Sequence, residues 1–196
     1  VLFRAQQAVS LSLMEEMWTR NVLNILLSPL RTWEWVVAVS LYGLLKTAVT
    51  VGFMIFLAWA LYAYDANLLG AALVPFFANL LVMGWGLGLF TSGLLLRWGH
   101  SAEAIIWGVP FLIQPFSAIF YPLSVYPAWL RPFCELLPST HVMEGMREAT
   151  LHGGFSWERL AAAAGLNLVL ITAGGCFFLR MLELCRRTGR LVPHAQ

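Results

Sequence analysis

Few residues in this chain have the type and spacing to do chemistry, and they are scattered. Asp65 is the only aspartate, so a site built on two aspartates sharing a proton is excluded. His100, His141, His152 and His194 fall in separate segments. His141 and Glu144 stand three apart on one short stretch and read as a packing or interface contact rather than a metal or catalytic pair. Glu144 and Arg147 are also helix neighbours, worth a few tenths of a kcal/mol in water and more at a membrane boundary, where unpaired charge is costly. Cys134, Cys176 and Cys185 are odd in number and lack metal-ligand or redox-motif spacing; Cys176 reads as a small apolar packing residue. The chain contains no G-x-x-x-x-G-K-[ST], no G-x-S-x-G and no H-E-x-x-H. The expectation is a chain with no catalytic site, no metal and no cofactor of its own.

What must position these residues is apolar. Of 196 residues, 60% are hydrophobic and 11% charged, too little charge to cover the surface of a soluble domain. Residues 47–64, 66–96, 104–130 and 160–179 contain no Asp, Glu, Lys or Arg. Each run reaches or approaches the roughly 20 residues that cross a hydrocarbon core of about 30 Å, and backbone at that depth must bond within its own helix. The net charge of +2 argues against a nucleic-acid partner. The fold class expected is an all-α polytopic membrane protein, one transmembrane domain over 1–196. Val1–Leu13 reads like the tail of a helix already under way.

The membrane helices are placed at 33–64, 68–96, 102–121 and 157–179. Thr32 is read as the cap of the first, with Trp33 and Trp35 at interface depth, and Lys46 snorkels back toward the side where that helix began. Asp65-Ala66-Asn67 makes the turn into the second. Gly84, Gly86, Gly88 and Gly93 there permit close helix contact. Asn79, Gln114 and Asn167 are polar residues inside spans, suited to a polar path or to bonding between helices. Before the first crossing, residues 13–28 read as a short amphipathic helix ended by Ser28-Pro29. Between the last two crossings, residues 122–154 carry Pro122, Pro127, Pro132 and Pro138, and read as short helices dipping into or lying on the outer leaflet. Residues 180–196 form a basic tail. With the 13–28 helix in the cytoplasm, Arg4, Arg20, Arg31, Arg97 and the cluster Arg180, Arg186, Arg187 and Arg190 are expected on the cytoplasmic side, in keeping with the distribution of basic residues.

Three segments carry a resemblance. Phe111–Pro122 (FLIQPFSAIFYP), then Tyr126–Leu130 (YPAWL) and Leu137–Arg147 (LPSTHVMEGMR), resemble the end of the fifth helix and the re-entrant helices of type-2 ABC exporter permeases. Those are the membrane subunits of bacterial exporters of drugs, lipo-oligosaccharides and polysaccharides. Leu26–Leu30 (LLSPL) with Trp33-Glu34-Trp35 resembles the family's stretch after the helix that touches the ATPase. Ser117-Ala118 stands where Ser-Gly is commoner, which removes a flexible residue.

The resemblance implies a type-2 ABC exporter transmembrane domain that is N-terminally truncated, holding the third to sixth membrane helices and the end of the second. It implies a coupling helix with Glu15, Glu16, Trp18, Arg20 and Val22. Asn79, Trp85, Gln114, Ser117 and Tyr121 become candidates for the translocation path or for helix interfaces. Pro122, Pro127, Trp129, Pro138, His141, Glu144 and Arg147 belong to the re-entrant region. The partners implied are two copies of a nucleotide-binding ATPase subunit that holds ATP and Mg, a second permease copy forming a homodimer, and membrane lipid. The compartment implied is the bacterial inner membrane with the C-terminus cytoplasmic, and the cargo amphipathic, drug-like, lipid-linked or a glycan. Two other classes compete: a membrane enzyme acting on a lipid, which would need a paired acidic, His or Ser constellation at an interface, and a non-transporting scaffold subunit.

Overall fold

The computed structural model describes residues 1–62, 73–152 and 155–188, and these are all-helical, with no strand among them. The helices are α1 (Leu2–Trp18), α2 (Val22–Leu27), α3 (Thr32–Tyr62), α4 (Leu73–Trp98), α5 (Glu103–Ile113), α6 (Arg131–Glu135), α7 (Pro138–His152) and α8 (Trp157–Thr188). Among the described residues, three helices are long and apolar enough to cross a membrane: Thr32–Leu61, Val74–Trp98 and Trp157–Thr188. The chain is a membrane-spanning α-helical protein. Asp65 and its turn, Arg190 and His194 lie outside the described residues.

Helix α4 is the centre of the bundle, gripped by α1 on one side and α8 on another. Its glycines make this packing close. A β-carbon on Gly84 would stand 2.7 Å from the Leu2 carbonyl oxygen, and one on Gly88 2.9 Å from that of Gln6. On the face toward α8, a β-carbon on Gly174 would meet the Gly86 carbonyl at 2.5 Å. Small residues therefore let backbones touch, which is how membrane helices gain dispersion contact where lipid supplies no hydrophobic drive. The glycines of the 68–96 run do what their spacing predicts. Val9, Leu13, Met14, Leu95, Ile106, Phe178 and Leu182 fill one buried cluster, and Phe76, Leu80, Val142 and Ala163 a second.

Two expected elements come out differently. Residues 13–28 are not one amphipathic helix. Leu13 and Met14 are buried in the bundle as part of α1, which ends at Trp18. Arg20 then takes the left-handed conformation, φ 57°, while Arg20 N–H donates to Met17 O (3.1 Å) and Asn21 N–H to Glu16 O (2.8 Å). That pair of bonds is a Schellman stop, and it is hard to read because arginine stands where glycine is usual. Asn21 also donates its side-chain amide to Glu16 Oε2 at 2.6 Å, and α2 follows.

The crossing expected over 102–121 is shorter. Helix α5 stops at Ile113 and continues only as a 3-10 turn, Gln114–Phe116; together they rise about 22 Å, less than a core of roughly 30 Å. At the start of α3, the cap is Arg31 rather than Thr32. Glu34 reaches back to accept the Arg31 N–H at 2.8 Å, the acidic half of a capping box.

Candidate functional site

The least regular part of the described residues is the end of α5 and the segment after it, where Pro110 sits inside the helix and Pro115 in the 3-10 turn that follows it. Every proline removes an N–H and strands the carbonyl four residues back. Inside a membrane bundle such groups need protein partners, and the one opposite Pro110 has one. Ile106 O, opposite Pro110, accepts from Gln6 Nε2 on α1 at 3.3 Å. Gln6 is fully buried, and its Nε2 also lies 3.0 Å from Ser10 Oγ and 3.2 Å from Thr91 Oγ1, its two hydrogens shared among the three acceptors, which ties α1, α4 and α5 together.

Beyond Ile113 the same logic continues with side chains from α7 and the intervening loop. Ser117 Oγ donates to Ile113 O (2.8 Å), Tyr126 OH to Pro115 O (2.7 Å) and Thr140 Oγ1 to Phe116 O (3.2 Å). Ser139 Oγ donates to Ser117 Oγ at 2.8 Å. Arg147 Nη2 donates to Ala118 O at 3.1 Å, and its Nη1 pairs with Glu144 Oε1. Glu144 Oε1 also accepts the Leu123 N–H at 2.9 Å. Glu144 and Arg147 thus clamp both sides of the bend at 118–123, a charge pair whose remaining bonds go to backbone. Ala118, fully buried, sits at φ 51°, the conformation that favours glycine.

Arg131 closes the following loop, donating to Tyr126 O (2.9 Å) and Ser124 O (2.7 Å). His141 Nε2 lies 2.8 Å from Glu135 O, so the ring faces α6 instead of Glu144. Burial lifts the Cys134 thiol above its ordinary range, with Glu135 adding to the effect, and burial likewise raises the Tyr126 hydroxyl.

Next to this bend lies a cavity of about 540 Å³ between α1, α4, α5 and α7, lined by Phe3, Phe77, Phe111, Met143 and Met146, with Gln114 and Ser139 as its polar members. Phe3 stacks at 5.6 Å on Phe111 and 6.2 Å on Trp107. The lining suits an apolar or amphipathic molecule.

Of the path or interface candidates, Ser117 and Gln114 join the bend and its cavity. Asn79 does not: it bonds Asn167, which donates to Asn79 O (2.9 Å) and Oδ1 (3.0 Å), so that pair is a bond between α4 and α8. Trp85 packs against the larger core cluster, its Nε1 buried. Tyr121 and Trp129 are exposed; Pro122 precedes the 3-10 turn Leu123–Val125, Pro127 lies in the loop and Pro138 opens α7. Among the coupling-helix candidates, Val22 is buried, Glu15 and Arg20 are exposed, and Glu16 holds Asn21. Trp18 donates its indole N–H to Glu103 Oε1 at 2.9 Å. Apolar residues exposed at that end include Leu27 and Leu30, together with Trp18, Trp33 and Trp98. Cys176 is exposed on α8, whereas Cys134 and Cys185 are buried, reversing the packing role expected for Cys176.

Sequence reasoning missed Gln6, Tyr126, Ser139 and Thr140. Gln6 alone had a signal, a polar residue available to the carbonyl that Pro110 frees; Tyr126 and Thr140 bond carbonyls where the helix ends, and Ser139 bonds the Ser117 hydroxyl. No group of three or more His, Cys, Asp or Glu able to hold a metal occurs among the described residues. Compared with known proteins, the chain matches no family model and no curated protein.

Proposed function

We propose that this chain is a permease subunit of an ATP-driven exporter of the type-2 ABC class, working as a homodimer with a separate nucleotide-binding ATPase that holds ATP and Mg. The observation that carries the reading is the α5–α7 bend. A helix broken short of a full crossing, clamped by Glu144 and Arg147 and followed by two helices before α8, fits the re-entrant hairpin that the sequence resemblance implies. The opposite end supports it. There α1, α2, α3, α4 and α8 share a pocket lined by Leu13, Val22, Leu30, Trp35, Leu96 and Arg186, and Arg31, Arg97 and Arg187 lie on the same terminal turns. In this reading the basic end faces the cytoplasm of a bacterial inner membrane. The short helix α2 is the coupling element, with Leu27 and Leu30 exposed to a partner groove. The cavity lined by Phe3, Phe111 and Met146 belongs to the path of an amphipathic cargo.

The test is reconstitution with an ATPase encoded beside this chain. The permease alone should release no phosphate, and the complex should do so in step with transport. Leu27→Asp with Leu30→Asp should leave insertion intact and reduce co-purification of the ATPase or its transport-coupled hydrolysis about tenfold. Robust turnover by the chain alone, or unchanged coupling in the double variant, would sink the reading.

A further inference from the structure

Helix α3 touches the rest of the bundle mainly through α1, and most of its apolar surface is exposed. Its seam with α1 is nevertheless polar. Ala8 and Gly43 meet at the closest approach. Around them runs a cleft of about 130 Å³, walled by Arg4, Gln7 and Ser12 on α1 and by Lys46, Thr47 and Thr50 on α3, with Glu15 also in its lining. Lys46 is the only lysine in the chain.

The cleft runs along the helices rather than across them. Arg4 and Glu15 stand about three turns apart on one face of α1. Glu15 is three residues from the end of α1 at Trp18, about 5 Å along the axis. Lys46 and Thr50 stand fourteen and eighteen residues beyond Thr32, where α3 begins, about 21 and 27 Å in. Arg4, fourteen residues before Trp18, is level with Lys46 because the two helices run antiparallel. The polar lining therefore leads from the basic end, where Glu15 is exposed, to the middle of a helix that spans the membrane.

Cations at that depth call for an anion or for water. No ion pair is formed by Arg4 or Lys46 within the described residues, and the Lys46 ammonium lies over the Tyr42 ring, 4.4 Å from its centroid, a contact that leaves its charge intact. Lipid headgroups stay at the bilayer surface, so a ligand for this pair has to arrive through the polar lining. Glu15 does not supply it: eleven residues from Arg4, it is about 16 Å away, and at the exposed mouth its charge is screened.

We propose that the α1–α3 seam is a water-filled crevice, open at the basic end, that binds one small hydrated anion between Arg4 and Lys46. Its volume suits such an anion with several waters. Thr47 and Thr50 spend their hydroxyl protons on Gly43 O and Lys46 O, at 2.8 and 2.9 Å. They therefore offer lone pairs to water, and the charge of the two cations selects the ligand. The inference rests on the membrane-spanning character of α3 and is independent of the transport reading.

The experiment is cysteine modification in the full natural protein with its native cysteines replaced by alanine, in sealed vesicles with each face exposed in turn. Two membrane-impermeant methanethiosulfonates are compared, one bearing a sulfonate and one a quaternary ammonium, each rate taken relative to that with a free thiol. Reaction requires a thiolate, and a thiolate inside a span requires water. Thr50→Cys should react from the basic end only, about tenfold faster with the anionic reagent. Ala48→Cys, at the same depth and exposed but outside the lining, should stay unreactive. Adding Lys46→Met, which suits an apolar span, should abolish the preference for the anionic reagent, as should Arg4→Gln; Lys46→Arg should keep it. Nitrate in place of the bulkier gluconate, at equal ionic strength, should slow the anionic reagent at Thr50→Cys and have no effect once Lys46→Met is added. Equal reaction at positions 48 and 50, no reaction at position 50, or a preference that survives Lys46→Met would overturn the crevice. Failure of nitrate to protect would overturn the anion as occupant, in favour of water alone.

Discussion

The Gln6 side chain on α1 donates to the Ile106 carbonyl on α5, the group that Pro110 leaves without its helical N–H. This one contact couples a sequence defect in one helix to a polar side chain in another, a hundred residues away. Gln6→Leu should lower stability by about 1–3 kcal/mol, because a buried acceptor loses its donor. Pro110→Ala restores the N–H, so in that background Gln6→Leu should do less harm. Thermal unfolding of the four variants forms a double-mutant cycle; a coupling energy near zero would remove the bond from the account.

Ala118 yields the opposite kind of prediction. Its positive φ and full burial hold an L side chain where glycine is at ease, a strain of about 1–2 kcal/mol. Ala118→Gly should therefore raise the midpoint of unfolding, by an amount equivalent to roughly 1 kcal/mol after the greater freedom of the unfolded chain is allowed for. Ala118→Val should lower it. The same Gly substitution at Ala164, inside α8, should destabilise by about 1 kcal/mol and serves as the control.

Breaking the clamp from one side should be worse than removing it. Glu144→Ala strands the Leu123 N–H and leaves the half-buried Arg147 without its carboxylate. The loss should be about 3 kcal/mol, and Arg147→Met in addition should recover part of it. If the two substitutions simply add in denaturation measurements, the pair does not act as a unit.

Thiol chemistry offers a check that needs no mutation. Cys176 is exposed, while Cys134 and Cys185 are buried, and Cys185 lies 3.0 Å from the Leu96 carbonyl. Burial raises the pKa of the Cys134 thiol, and the thiolate is the reactive form. In detergent, a permeant maleimide should modify Cys176 first. As pH rises through the ordinary thiol range, Cys134 should lag behind Cys176, because it is buried and its pKa is raised. Peptide mass mapping over time would show this order, and early modification of Cys134 would contradict the packing of α6.

Much of the architecture was legible from the sequence, and the failures have physical causes. Long uncharged runs locate α3, α4 and α8 because lipid tolerates little else, and Gly84 and Gly88 announce close packing in advance. The Asn79–Asn167 bond was half visible, as two amides in apolar spans, but nothing in spacing says which amide meets which. The end of α1 was hidden since Arg20 adopts a glycine-like conformation through backbone bonds to Met17 and Glu16, with no breaker residue to mark it. Residues 102–121 looked like a full crossing because 104–130 carry no charge, and a lack of charge says nothing about where Pro110 and Pro115 end the helix. The clamp was visible only as a pair of helix neighbours; that Glu144 and Arg147 reach Leu123 and Ala118 is a fact of tertiary structure.

The glycine contacts of α4 have a mechanical corollary. Where Gly174 faces the Gly86 carbonyl and Gly84 faces Ala5 and the Leu2 carbonyl, there is little side-chain cushion to compress, so α1, α4 and α8 should shift as one block. Helix α3, which beyond its first turns packs mainly on α1, and the bent end of α5, held by side-chain hydrogen bonds that can exchange partners, are the parts expected to swing against it. A spin label on α3 should report distance changes to α4 that a label on α8 does not, making the seam at Ala8 and Gly43 the axle of whatever motion this protein performs.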